Sequence, residues 1–389
     1  MIERKATETI LRLSKGFPVV AITGPRQSGK TTLARAVFPD KSYVSLEDPD
    51  SLAFAETDPR SFLRRYPDGA ILDEVQRCPD LFSYIQGIVD EDKSMGKFIL
   101  TGSQQFGLHT RITQSLAGRV GLVQLLPFSY TELAAGGKPQ ADLESVIYSG
   151  AYPPVHDRNI LPEDWYPGYV ATYVERALRQ LVNVRDLSMF QLFLRMCAAR
   201  TGQLLNLSSL ANDCGITHNT AKAWLSVLEA SYILFLLQPH HRNFNKRLIK
   251  SPKLYFYDTG LVAWLLGIQD GDQIMTHSMR GALFETWVVA ELIKGRCNRG
   301  LRSNLFFWRD SSGNEVDVLA EQGEQLVPVE IKAGRTISVD YFSALNKWSS
   351  LAGVVAGPAS LVYAGDDYQK RKAATVIPWQ DISLLAETL

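Results

Sequence analysis

The stretch that most constrains this chain is Gly24-Pro25-Arg26-Gln27-Ser28-Gly29-Lys30-Thr31, which fits G-x-x-x-x-G-K-[ST] at every fixed position. It follows the apolar run Phe17-Pro18-Val19-Val20-Ala21-Ile22 and precedes Thr32-Leu33-Ala34-Arg35-Ala36-Val37-Phe38, so the context reads strand, loop, helix. That context separates a phosphate cradle from a glycine-rich turn that binds nothing. Gly24 and Gly29 let backbone amides approach phosphate oxygens, with Pro25, Arg26, Gln27 and Ser28 forming the loop between them. Lys30 is expected to pair with β- and γ-phosphates, and the Thr31 hydroxyl to ligate Mg²⁺, with Thr32 directly behind. The helix beginning there turns its positive dipole end toward the anion. The expected ligands are therefore ATP or ADP with Mg²⁺.

A second signal is Gly69-Ala70-Ile71-Leu72-Asp73-Glu74, which reads as a short buried strand ending in two carboxylates, with Asp73 forty-three residues after Lys30. Asp73 can hold the Mg²⁺ shell, while Glu74 can polarise the water that attacks the γ-phosphate. A strand at Tyr43-Val44-Ser45-Leu46 intervenes, and another, Lys97-Phe98-Ile99-Leu100, ends at Thr101-Gly102-Ser103. Thr101 and Ser103 can sense the γ-phosphate or orient the water; a simple strand-ending turn is the competing reading. Arg119 follows Ser115-Leu116-Ala117-Gly118 in an apolar setting at the entrance of the strand Val120 to Leu125. It can reach a γ-phosphate in its own subunit or a neighbour's, or be paired inside its own domain. At least five strands alternate with helices, so the expected fold is an α/β, mostly parallel sheet with nucleotide at the carboxyl ends of its strands.

These elements resemble an AAA+-type P-loop ATPase. The nearest likeness is a prokaryotic family whose members open with Gly-Pro-Arg-Gln-x-Gly-Lys-Thr-Thr, here Gly24 to Thr32. It continues through Leu72 to Gln76, Leu100 to Ser103, Ser115 to Arg119, and Thr172-Tyr173-Val174-Glu175-Arg176. Many relatives carry an aspartate after that Glu-Arg, where this chain has Ala177, which puts any role for the acid here in doubt. The resemblance implies an ATPase domain, a winged-helix middle region, a nuclease-like C-terminal domain, and assembly into a homo-oligomer.

At 389 residues the chain has room for two or three domains, and the expected partition is 1–135, 136–275 and 276–389. A break at Ala134-Ala135-Gly136-Gly137-Lys138-Pro139 marks the first boundary. Forty-one basic residues balance forty-one acidic ones, so any nucleic-acid surface must be local. The cysteines, Cys78, Cys197, Cys214 and Cys297, have no zinc spacing. They read as reduced thiols of a cytoplasmic protein, the stretch Met1 to Lys15 reads as a charged amphipathic helix rather than an export signal, and no apolar run is long enough to span a bilayer.

In the middle, Leu207 to Ile216 followed by Thr217 to Ala230 reads as a helix-turn-helix. Ala211 suits the helix crossing, Gly215 the turn and Thr217 the cap, while Ala221, Trp224, Leu225 and Leu228 make an inward stripe. Strands at Ile233 to Leu237 and Leu254 to Tyr257 then flank a wing. Across 181–260, nine Lys and Arg stand against four Asp and Glu. The surplus sits in Arg242, Lys246, Arg247, Lys250 and Lys253, which with Lys222 are expected to contact the phosphates of DNA. The competing reading is a packing or lid module with a solvated face.

In the last third, a helix from Gly281 to Leu292 carries Glu285, and a hairpin pairs Glu315 to Ala320 with Leu326 to Lys332. Asp317 and Glu330 lie on adjacent strands, where they can share Mg²⁺ or Mn²⁺; Lys332 projects from the face of Glu330 and can offset charge at a phosphodiester, and Glu285 can add an outer ligand. This order resembles the PD-(D/E)XK nuclease core. Two overall readings result. In one, ATP hydrolysis is coupled to DNA binding and metal-dependent DNA cleavage. In the other, ATP switches assembly state, the winged helix docks protein, and the nuclease-like fold is catalytically silent.

Overall fold

The computed structural model describes residues 2–103, 115–138, 142–174, 187–241 and 249–389. Arg242, Lys246 and Arg247 lie outside the described residues, as do Pro139, Glu175, Arg176 and Ala177. The chain forms two compact units. One comprises Met1–Phe128, Ala230–Tyr232 and Cys297–Leu301; the other comprises Ser129–Glu229, Ile233–Arg296 and Arg302–Leu389. The stretches expected as a middle and a C-terminal domain thus lie mostly together in the second unit.

In the first unit, segments of four or five residues form strands β1 (Val19–Thr23), β2 (Ser42–Ser45), β3 (Ala70–Asp73), β4 (Phe98–Gly102) and β5 (Val120–Gln124), all but β2 mainly apolar. All pair in parallel, in the order β2-β3-β4-β1-β5, as the alternation of strands and helices predicts. Because side chains alternate, Val19, Ala21, Leu72, Phe98 and Leu100 enter one core, and Val20, Ile22, Ile71 and Ile99 the other. Helices α1 (Ala6–Gly16) and α2 (Lys30–Val37) cover the second face with Ala6, Ile10, Leu33 and Ala34. Helix α3 (Leu81–Glu91) covers the first with Leu81, Phe82, Ile85 and Val89. The strand order brings the carboxyl ends of β3, β4 and β1 side by side, since Leu72 pairs with Leu100 and Thr23 with Gly102.

In the second unit, α4 (Leu207–Asp213) and α5 (His218–Ala230) are joined by a turn at Gly215, whose φ of +64° favours glycine. The Thr217 hydroxyl accepts from the Thr220 amide at 3.1 Å, capping α5. Strand β6 (Gln203–Leu204), just ahead of α4, joins β7 (Leu234–Leu237) and β8 (Lys253–Phe256), which follow α5, in an antiparallel sheet ordered β6-β8-β7. Helix α6 (Arg280–Asn298) precedes a six-stranded mixed sheet of β9 (Leu305–Arg309), β10 (Glu315–Gln322), β11 (Gln325–Lys332), β12 (Ser360–Tyr363), β13 (Gln369–Lys370) and β14 (Thr375–Pro378). Its order is β13-β14-β12-β11-β10-β9, with β10 and β11 forming the expected hairpin. Among the described residues no helix is long and apolar enough to cross a membrane.

Candidate functional sites

The loop after β1 closes against the neighbouring strand end. A Cβ on Gly24 would lie 2.1 Å from the Leu125 carbonyl oxygen, so no side chain fits there. Gly29 stands ahead of α2 with φ of +89°, a second conformation that favours glycine. Between them, Pro25 and Ser28 are buried, Gln27 is exposed with φ of +66°, and Arg26 is ion-paired with Glu47. Lys30 is buried, and its Nζ donates to the carbonyls of Pro25 at 2.7 Å and Gly24 at 3.2 Å. Burial lowers its pKa to about 8, with Glu74 and Asp73 opposing the fall. Thr32 is exposed at the start of α2.

The acids at the end of β3 meet this loop. Thr31 Oγ1 donates to Asp73 at 3.0 Å to Oδ1, Tyr43 on β2 donates to Oδ2 at 2.9 Å, and Thr101 on β4 donates to Oδ1. Burial, then the bond to Asp73, raises the Tyr43 pKa to about 12, so the phenol stays a donor. Glu74 takes a left-handed backbone, φ +54° and ψ +43°, uncommon for a residue with a side chain and recurrent at functional sites. Its Oε2 accepts from Ser103 Oγ at 2.9 Å and from Gln76 Nε2. Thr101 and Ser103 are thus bound to the two acids. Thr31 and Asp73 present hydroxyl and carboxylate oxygens together, a donor set that fits Mg²⁺.

Sequence reasoning missed Arg4 and Tyr43. Arg4 is buried, its guanidinium donating to the Ser28 carbonyl at 2.8 Å and the Leu126 carbonyl at 2.7 Å while lying 4.7 Å above the Phe128 ring. Alternation within β2 could have drawn attention to Tyr43, but no local signal marks Arg4.

Arg119 corrects an expectation. It stands before Val120, which pairs with Val19, whereas the phosphate loop follows Thr23 at the other end of the same strands. Five residues of strand, about 16 Å, separate the two ends. Its surroundings are also polar and partly exposed: the guanidinium binds Asp90 at 2.5 and 2.9 Å and the Ala117 carbonyl at 3.1 Å. Pairing inside its own domain is therefore what the fold provides, and reach to its own nucleotide is not.

Lys253 corrects another. Rather than facing DNA, it opens β8 with its side chain 4 % exposed, and its Nζ binds Glu285 Oε1 at 2.9 Å and Glu315 Oε1. Burial opposes its charge, but Glu285, Asp317 and Glu315 outweigh that and raise its pKa. Lys222 on α5 and Lys250 are exposed.

Around Lys253 the hairpin and α6 do bring the expected acids together. Asp317 Oδ2 accepts from the Ile331 amide at 2.8 Å, and Lys332 Nζ lies 2.5 Å from Glu330 Oε1 and 3.9 Å from Asp317 Oδ2. Tyr255 donates to Glu285 Oε1 at 2.5 Å, and Arg309 to Glu315 Oε2 at 2.8 Å. Burial, then Asp317, raises the Glu330 pKa to about 8, and the same two causes raise that of Glu285. Among the described residues no group of three or more His, Cys, Asp or Glu is arranged to hold a metal ion. The strand register does set Asp317 beside Glu330, as expected, with Lys332 on both carboxylates, while the Glu285 expected as an outer ligand is held by Lys253.

Residues 16–134 match the family model described as an AAA domain. Residues 140–272 and 280–382 match two models described as domains of unknown function. A Walker-type ATPase of Pyrococcus abyssi aligns in structure with a TM-score of 0.46 at 16 % identity, over 68 % of this chain and 96 % of that one. The uncharacterized proteins Rv2008c of Mycobacterium tuberculosis and Mb2031c of Mycobacterium bovis are each 31 % identical over 374 residues, covering 94 % of this chain and 81 % of theirs. This chain belongs to the same family as those two mycobacterial proteins, and it carries its AAA domain at residues 16–134.

Proposed function

We propose that the chain is a Mg²⁺-dependent ATP hydrolase whose nucleotide state controls a DNA-binding second unit. The observation that carries the first half is the convergence of Lys30, Thr31, Asp73 and Glu74 at the carboxyl end of one parallel sheet. Lys30 turns from its loop carbonyls to the β- and γ-phosphates. Thr31 and Asp73 hold Mg²⁺, which when bound neutralises phosphate charge. Glu74 orients a water and takes its proton as the water oxygen bonds to the γ-phosphorus and the bond to the ADP oxygen breaks. Thr101 and Tyr43 fix Asp73, and Ser103 fixes Glu74.

DNA binding is supported by the capped α4–α5 pair followed by the antiparallel strands β7 and β8, the element order of a winged helix. His218, Asn219 and Lys222 are exposed on α5, as is Lys250 beyond β7. For the carboxylates of the C-terminal sheet, buried Lys253 favours the silent reading over cleavage.

The test is ATP hydrolysis with and without duplex DNA across a salt series. DNA should raise the rate, with an effect that fades as salt rises and is weakened in Lys222→Ala. If DNA neither binds nor alters the rate at any salt, the second unit docks protein and ATP acts as an assembly switch.

A further inference from the structure

We propose that Lys253 is the resident cation of the Glu285–Glu315–Asp317–Glu330 cluster, standing where a divalent metal would otherwise be held. The inference rests on the silent reading above and gives it a cause. Strand β8 aims two side chains of one face at Glu285, since Lys253 and Tyr255 are two residues apart and both bind Oε1. The ammonium spans Glu285 and Glu315 and also lies 5.7 Å from the centroid of the Phe307 ring. Lys332 serves Glu330 and Asp317 in the same way, and Arg309 takes the other oxygen of Glu315.

Three cations therefore face four carboxylates. A divalent ion entering this set would add two charges to a nearly balanced group, or would have to expel a lysine that is almost wholly buried. Expelling it would break both of its ion pairs and leave Glu285 and Glu315 without the ammonium they hold, so expulsion is unfavourable. Removing the Lys253 charge reverses the balance. Glu285 loses its ammonium partner, and Glu330 offers Oε2, a buried oxygen with no hydrogen-bond partner among the described residues. Hard carboxylate oxygens on adjacent strands and α6 are then donors for a cation of the Mg²⁺ or Mn²⁺ class.

The test titrates Mn²⁺ into the full chain without nucleotide, reading free Mn²⁺ by electron paramagnetic resonance. The variants are wild type, Asp317→Asn, Lys253→Met, Lys253→Arg and Lys253→Met with Asp317→Asn. The expected result is no Asp317-dependent Mn²⁺ uptake by wild type or Lys253→Arg. Lys253→Met should bind roughly tenfold or more tightly than wild type, with the gain lost when Asp317→Asn is added. Uptake by wild type that Asp317→Asn abolishes would overturn the proposal, as would a folded Lys253→Met that takes up no more than wild type. If Lys253→Met does not fold, wild type against Asp317→Asn decides alone. Cleavage of DNA by wild type, measured alongside, separates the two claims. Asp317-dependent cutting sinks the silent reading, whereas Mn²⁺ uptake without cutting sinks only the role of Lys253.

Discussion

Lys30 is held with its ammonium on two loop carbonyls, and burial brings its pKa to about 8. The unfolded chain binds its proton up to about 10.5, so between roughly 8 and 10.5 the unfolded state carries more protons and this residue makes stability rise with pH. Nucleotide binding runs the opposite way. Phosphates favour the charged lysine, so above pH 8 binding must take up a proton, and affinity for ATP should fall by up to about tenfold per pH unit. Calorimetry in two buffers of different ionisation enthalpy would read the proton uptake directly; equal heats at pH 9 would contradict the assignment. The residues of this loop were legible because their chemistry is contiguous. Phosphate approach explains Gly24 only in part, since its lack of a side chain also answers the Leu125 carbonyl beyond the neighbouring strand. Local charge counts assign Lys253 to DNA because they cannot see Glu285 and Glu315, which meet it only in the fold.

Strand and helix identities followed from runs of apolar residues, but which end of the sheet a residue occupies depends on strand order and direction. That is why Asp73 and Thr101 join the phosphate loop and Arg119 does not. The parallel register of β5 against β1 sends Arg119 to the amino end, a fact no local pattern holds. Arg4 was invisible for a similar reason, its acceptors lying twenty-four and 122 residues away. It ties the phosphate loop to the end of β5 through two charge-assisted bonds. Arg4→Met should therefore lower stability by about 2–3 kcal/mol in urea unfolding and raise the KM for ATP. Lysine should rescue little, having no planar fork to reach both carbonyls. An unchanged KM in a destabilised variant would make Arg4 a packing residue only.

At the scale of the whole molecule, the chain joins a five-stranded parallel unit with a nucleotide-type site to a second unit with a capped helix pair and a lysine-neutralised carboxylate sheet. On the proposed function, the first unit binds and splits ATP through residues with separable tasks: Lys30 for phosphate, Glu74 for water. The most direct measurement compares ATP affinity and steady-state hydrolysis, with Mg²⁺, in wild type, Lys30→Ala and Glu74→Gln. The expected result is that Glu74→Gln binds ATP as wild type does while hydrolysis falls about 100-fold or more, and that Lys30→Ala loses both. Hydrolysis at the wild-type rate in either variant would contradict it.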